Sequence, residues 1–457
     1  SLHDALPIFS SLSFSGGSMT PSFSSSTTSY TASINNSINS ITVTPTVNDS
    51  SATVKVNNVS TTSGNTSAAI SIVVGTNTVN IVVTAQNGAT KTYTLTVTKA
   101  GLFTTFQAAS LVIGQSDFTT AVASPDTRTP TSGITNEPFT NPTVINDILY
   151  LPDFKNNRIL GFNSFPSANG ATANFVLGQS SFTSSTSGTS NILFSSPMSP
   201  ISIGGKFLIV DRTNNRVLVW NSIPTANTAA DVVIGQTDMT SNSSGCSDAK
   251  FNRPLSIATA NGKLIVSDLL NNRIMIWNSV PTTNGKVADV VLGHSDFITC
   301  TASNGSSGMN APRGIYSDGT RLFVSDSSNN RVLVWNTIPT VSNTAASFVL
   351  GQSDFVTYTS GCDSSSFNSP YFITGSKYSL AVVDRNNHRV LIWNSIPTIT
   401  DTPADVVLGK ADMNTSAQSG IISNKYMNLP QGAYYNGLNQ LMVGDDLNFR
   451  WLVFNAQ

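Results

Sequence analysis

Residues 211–220 read DRTNNRVLVW: an aspartate, a short Asn-bearing stretch, then an arginine opening an apolar run that ends in tryptophan. The residues just before, Phe207–Val210, form another apolar run, so the segment reads as two strands joined by a tight turn. The pair Asp211…Arg216 that frames this turn recurs in the same order five more times. Asp153…Arg158, Asp268…Arg273, Asp326…Arg331, Asp384…Arg389 and Asp445…Arg450 all follow Asp-x-x-Asn-x-Arg, and successive copies begin 57 to 61 residues apart.

A second signature precedes each copy: VIGQSDF at Val112, VLGQSSF at Val176, VIGQTDM at Val233, VLGHSDF at Val291, VLGQSDF at Val349 and VLGKADM at Val407. Each unit divides into four strands. The first follows a proline (Pro142, Pro197, Pro254, Pro312, Pro370 or Pro430), and the second is the apolar run into the aspartate. The third begins at the arginine and the fourth is the run into the Gly-Gln pair. Four-stranded units repeating at this period are blades of a β-propeller. The region opens with a fourth strand alone (Leu111–Gly114) and ends with a third strand alone (Arg450–Phe454). Six blades are therefore complete only if the first strand pairs with the last blade, a Velcro closure that leaves no free sheet edge. These residues resemble the NHL-repeat family from about residue 110 to 457, with blades longer than is usual for it.

Residues 9–100 alternate apolar and polar side chains over short runs: Tyr30–Ile34, Ile41–Val47, Thr53–Val59, Ala69–Val74, Val79–Ala85 and Thr92–Thr98. Turn formers separate them, among them Gly16-Gly17, Asn48-Asp49 and Asn87-Gly88. This pattern predicts a small β-sandwich. The ordered set LSFSGG (Leu12–Gly17), TPSF (Thr20–Phe23), Tyr30, VGTN (Val74–Asn77) and KTYTLTV (Lys91–Val97) resembles the bacterial cadherin-like β-sandwich family. No calcium is expected there, because Asp49 is the sole acidic residue of the segment and calcium takes several oxygen ligands. The fold class is thus all-β, an N-terminal sandwich (9–100), a linker (101–109) and a six-bladed propeller (110–457). Residues 1–8, SLHDALPI, resemble a translated sequencing adapter and are expected to lie outside the protein proper, with the native N-terminus and its signal peptide missing.

Composition narrows the function. Charged residues make up 10% of the 457 and the formal net charge is -1, which argues against a nucleic-acid binder. No run of about 18 uninterrupted apolar residues marks a membrane-spanning helix. Three cysteines and three histidines supply neither a CxxC pair nor a His-rich metal centre. A bridge Cys246–Cys300 or Cys300–Cys362 would leave one thiol over, and an unbridged state is equally compatible with the spacing. Neither a metal nor a cofactor is expected.

A residue present in every blade is poor material for catalysis, which needs one asymmetric constellation. The repeated aspartates (Asp153, Asp211, Asp268, Asp326, Asp384, Asp445) and arginines (Arg158, Arg216, Arg273, Arg331, Arg389, Arg450) are therefore assigned to structure, as turn acceptors and ion pairs. Trp220, Trp277, Trp335 and Trp393 form a packing layer, with Phe162 and Phe454 in the equivalent place. Trp451 falls outside that register and is expected at the surface. Specificity should sit where blades differ: Thr143, Met198, Leu255, Arg313, Tyr371 and Gln431 follow the six prolines, no two alike. The turns after the second strands add Lys155, Arg212 and Arg385, against Leu269-Leu270 and Ser327-Ser328 elsewhere. Arg313, Tyr371, Met198, Leu255, Arg212 and Arg385 are the candidate ligand- or partner-binding residues. They imply an extracellular or cell-surface binding scaffold for an acidic or carbohydrate ligand or a partner protein. The alternatives are a propeller enzyme of lyase or lactonase type, and a purely structural surface-array or adhesin subunit.

Overall fold

The computed structural model describes residues 7–36, 38–99, 101–122 and 140–456. The chain divides into two compact units, one with Ser1–Leu102 as its main segment, the other made of Phe103–Asn436 and Gln440–Asn455. Most of the adapter-like segment, residues 1–6, lies outside the described residues. Ile8 lies inside them, and its carbonyl accepts the N–H of Asn48 at 3.0 Å.

In the first unit one sheet runs in the order Ser29–Ile34, Thr90–Lys99, Gly75–Thr84, Thr53–Val56, Val59–Thr61, and the first of these pairs is parallel. Phe9–Phe14 pairs with Val43–Val47, and Ser40–Ile41 with Ile70–Ser71. Strict alternation, as in Ser29–Ile34, sends Tyr30, Ala32 and Ile34 inward to meet Phe9, Val43, Val79, Ile81, Tyr93 and Leu95 in one core. Two quoted motifs have local causes. The Tyr30 hydroxyl donates to the carbonyls of Ser24 and Thr27, at 2.7 and 2.8 Å, and the Asn77 amide donates to those of Val73 and Gly75, at 2.8 and 3.1 Å. Asp49 serves a turn, accepting from Ser51 N–H at 2.8 Å.

In the second unit the described residues form six four-stranded antiparallel sheets. The sheet of Asp268 is representative: Pro254–Ala260, Lys263–Asp268, Arg273–Trp277 and Val290–Leu292, in chain order. The sheet of Asp445 differs in one strand. Its fourth strand is Leu111–Ile113, which pairs with the last strand in the register Leu111↔Val453, Val112↔Leu452 and Ile113↔Trp451. Thr105 and Phe106, within the 101–109 stretch expected as linker, also stand in for part of a repeat. Val407 N–H donates to Thr105 Oγ1, as Val349 N–H donates to Thr400 Oγ1 one sheet earlier. Phe106 N–H donates to Val407 O as Asp401 N–H does to Val349 O. Phe106 and Asp401 share the left-handed backbone this connection requires (φ 57 and 58).

The repeated pair holds each sheet's turn. Asp268 and Arg273 are fully buried, with Arg273 Nε 2.8 Å from Asp268 Oδ2. Asn271 Nδ2 donates to the same oxygen at 2.8 Å, and Asn252 N–H to Oδ1 at 2.7 Å. The rest of the guanidinium donates to carbonyls: Phe297 (2.6 Å), Ser247 (2.7 Å) and Lys250 (2.9 Å). One arginine thus ties the segment that leaves its sheet's fourth strand, within the SDF signature, to the segment that enters its first strand.

Arg216 repeats the arrangement in the sheet before. Its Nε lies 2.7 Å from Asp211 Oδ2, and its other nitrogens donate to Met239 O at 2.5 Å and Ser190 O at 2.7 Å. The expectation for Arg216 and its five equivalents was an ion pair alone, and the structure extends it: each is fully buried and also joins loops through carbonyls. The remaining pairs are Asp153–Arg158 at 2.6 Å, and Asp326–Arg331, Asp384–Arg389 and Asp445–Arg450 at 2.7 Å. Burial pushes the carboxyls of Asp211, Asp268, Asp326, Asp384 and Asp445 up, Asp268 to about 6, while the guanidinium pulls the other way.

The second signature serves the same loops. Gln236 Nε2 donates to Asn215 O and Ser243 O, both at 2.9 Å. Gly235 has φ +88, and a Cβ there would lie 2.3 Å from the Phe251 ring. The tryptophans do more than fill space, since the indole N–H of Trp220, Trp277, Trp335 and Trp393 each donates to a carbonyl of the following connection at 2.9–3.0 Å. Trp451 corrects the expectation of a surface position. It is fully buried in one cluster with Ile113, Leu149, Leu160 and Val453, because its place in the strand lies between Gly444 and Ile113 of the two flanking strands.

Hydroxyls and amides link the first strands of neighbouring sheets. Ser199 N–H donates to Thr140 Oγ1 (2.8 Å), Ser199 Oγ to Leu255 O (3.1 Å), and Ile315 N–H to Ser256 Oγ (3.3 Å). Tyr435 N–H donates to Thr374 Oγ1 and Ala433 N–H to Asn141 Oδ1, both at 2.9 Å. Gly314 lies so close to the next first strand that a Cβ would sit 2.6 Å from Tyr371 O. Residues from all six first strands, or directly before them, line one cavity of about 220 Å³ that includes Thr143, Thr259, Tyr316 and Tyr434. Of the bridges left open by the spacing, Cys246–Cys300 is present, with Cα atoms 6.4 Å apart. Cys362 is unbridged and burial pushes its thiol up.

Asp268→Ala should cost about 3–5 kcal/mol, since it strands a buried guanidinium. Denaturant unfolding checks this, and a loss below about 1 kcal/mol would contradict the staple. A second expectation concerns His388, which stands where four of the other repeats carry Asn. Its Nδ1 accepts Leu429 N–H at 3.0 Å, and burial, with Lys410 and Arg385, holds its pKa down at about 4. The unfolded chain takes up the proton first, so stability present above about pH 6.5 should fall by about 1–2 kcal/mol as pH drops toward 4. His388→Asn should flatten that slope in a pH series of melting temperatures.

Candidate functional site

The turn after each signature aspartate places the next side chain beside the proline end of the first strands. Those side chains are Phe154, Arg212, Leu269, Ser327, Arg385 and Asp446, a second variable set next to the one that follows the prolines. Four of these turns, as in Leu269–Asn271, are 3-10 segments ended by an Asn or His in the left-handed region, such as Asn272 at φ 53. Phe449 ends the fifth. Asn272 then uses its side chain to join two loops, accepting from Ala311 N–H at 2.8 Å and donating to Cys300 O at 3.0 Å.

Four of the six sequence candidates converge. The guanidinium carbon of Arg313 lies 4.0 Å from the centroid of the Tyr371 ring and that of Arg385 lies 4.9 Å from it. Arg212 rests 5.9 Å from the Phe154 ring. Burial, and then the like charges of Arg253 and Arg313, pull the Arg212 guanidinium down to about 10; burial also lowers Arg313, against the pull of Tyr371. Asp446 supplies a carboxylate, 3.7 Å from Arg385 Nη2, and Gln431 Nε2 donates to its Oδ2. Among the described residues the Nε atoms of Arg313 and Arg385 are buried with no hydrogen-bond acceptor.

Met198 and Leu255 do not belong to this group as a surface. Both are fully buried, their apolar side chains packed away from solvent. Tyr371, expected to offer an open aromatic face, is 8% exposed and lies against two guanidiniums. Two guanidiniums already rest against that ring, so the chemistry offered is that of planar donors for anions. Arg253 and Asp446 were missed by sequence reasoning. Both stand at positions that vary between repeats, directly before the proline and directly after the signature aspartate. No group of three or more His, Cys, Asp or Glu among the described residues could hold a metal ion.

The burial changes what substitution should do. Tyr371→Ala should cost about 3–5 kcal/mol as a large buried ring is lost. Arg313→Ala should stay within about 0.5 kcal/mol of the parent or gain slightly, because it removes one of several like charges. Melting curves of the two variants side by side check the contrast.

Residues 9–100 match the family model of the cadherin-like beta sandwich domain. Over 88 residues the chain is 38% identical to a protein of Evansella cellulosilytica described as a membrane protein, a match covering 19% of this chain and 13% of that one. The chain thus spans a small part of that relative. Among solved structures, a protein of unknown function from Bacteroides thetaiotaomicron aligns over 93% of this chain and 96% of its own, at 12% identity and a TM-score of 0.42. The PQQ-bound aldose sugar dehydrogenase of Streptomyces coelicolor aligns over 72% of this chain and 97% of its own, at 12% identity and a TM-score of 0.39. Neither structural likeness transfers an activity. Residues 9–100 are thus a cadherin-like sandwich, in an all-β chain whose further four-stranded sheets fit a propeller.

Proposed function

We propose that the chain is an extracellular or cell-surface binding scaffold whose second unit is a closed, six-bladed propeller of NHL type with an anion-binding mouth. The pairing of Leu111–Ile113 with the last strand, and the bonds between neighbouring first strands, support closure. The cadherin-like sandwich and its membrane-protein relative support a surface location. One observation carries the binding role. Arg313 and Arg385 share one tyrosine ring, Arg212 and Arg253 add like charge beside them, and two buried Nε–H groups lack an acceptor among the described residues. A carboxylate, sulfate or phosphate oxygen at the mouth would satisfy those donors and offset the mutual repulsion of the arginines.

Calorimetry with neutral oligosaccharides beside dicarboxylates and sulfated or uronic sugars tests this. Anionic ligands should bind, more weakly as salt rises, and Arg313→Gln should weaken them at least tenfold, about 1.4 kcal/mol. Equal binding of neutral and anionic ligands, or an Arg313→Gln protein that binds as the parent does, would place recognition elsewhere.

A further inference from the structure

Next to donors without acceptors lies an acceptor without a donor. Gln431 holds the same place in its first strand as Arg313 and Tyr371 hold in the two before it, directly after the proline. It is 1% exposed. Its Nε2 donates to Asp446 Oδ2, and its Oε1 is buried with no hydrogen-bond partner among the described residues. Exchanging the amide's nitrogen and oxygen would face an oxygen toward a carboxylate oxygen, so the orientation is fixed by charge. A buried carbonyl left unsatisfied is costly, and so is a buried donor. Both kinds occur here in one small region, and the carboxylate of Asp446 stands on the acceptor side.

A purely anionic ligand answers only the arginines. A molecule with a carboxylate and an ammonium group a few bonds apart answers both sides. We propose that the mouth takes a small zwitterion of the amino-acid class, an inference that rests on the anion-binding reading above. Its carboxylate meets the forks of Arg313 and Arg385, held in orientation by the Tyr371 ring. Its ammonium donates to Gln431 Oε1 and faces Asp446. Arg253, exposed beside Arg212, adds a further positive charge, which favours a second carboxylate on the same molecule.

L-Glutamate and glutarate carry the same two carboxylates and differ in the ammonium group, so calorimetric titration of the full chain with each separates the two ideas. Glutamate should bind about tenfold or more tightly than glutarate. Gln431→Leu should bring glutamate to the level of glutarate and leave glutarate unchanged. Equal affinity of the unaltered chain for both, with both lost in Arg313→Gln, would overturn the zwitterion while keeping the anion site. Binding of neither would overturn the anion site and the zwitterion with it. The comparison of ligands on the unaltered chain decides even where Gln431→Leu fails to fold.

Discussion

A carboxylate and a guanidinium, both out of reach of water, set the geometry of every repeat. Removing two ions from solvent costs several kcal/mol each, and the ion pair offsets this only when the remaining donors and lone pairs are also satisfied. They are satisfied here by strands and loops brought from three parts of the repeat: Arg273 reaches Asp268, Phe297, Ser247 and Lys250, and Arg216 reaches Asp211, Met239 and Ser190. A shifted strand or an altered loop would leave a buried charge unpaired, so the pair penalises misregistered alternatives more than it adds net stability. The turn it fixes delivers the non-repeating side chains to the proline end of the first strands.

That division explains what could be read from the sequence. The repeat unit and its four strands are written in residues that recur, and Lys263–Asp268 and Arg273–Trp277 fall where the pattern puts them. The pairing of Leu111–Ile113 with the last strand was legible from strand arithmetic, but the part taken by Thr105 and Phe106 was not. FTTFQAAS shares too few side chains with SIPTITDTPAD, and what they share is a backbone conformation. The site was legible only as a list of differences. Met198, Leu255, Arg313 and Tyr371 occupy one sequence position, yet Met198 and Leu255 are fully buried while Arg313 is only half-buried, its guanidinium laid against the Tyr371 ring. Side-chain reach decides that outcome, and reach is not visible in a pattern of positions.

The arginine group also differs from the rest in how its charge is met. Every signature arginine meets a carboxylate at 2.6–2.8 Å, whereas Arg313 meets a tyrosine face. An aromatic ring holds a guanidinium in place without neutralising it. Orientation is thereby fixed while the charge persists, the arrangement that would lower the entropic cost of binding an anion there.

Chain connectivity at the last sheet has a mechanical meaning. Leu111–Ile113 and the final strand run antiparallel, so tension entering near Phe103 and leaving near Asn455 pulls both strands from the same end. Such a load opens an antiparallel pair one rung at a time, beginning with Leu111–Val453. The long stretch between residues 113 and 450 stays slack for as long as those rungs hold. Before they feel the load, it falls on the bonds that join Thr105 and Phe106 to Val407. Under such a load the three-residue pairing of Leu111–Ile113 with the last strand would part before the ion-paired sheets are stretched.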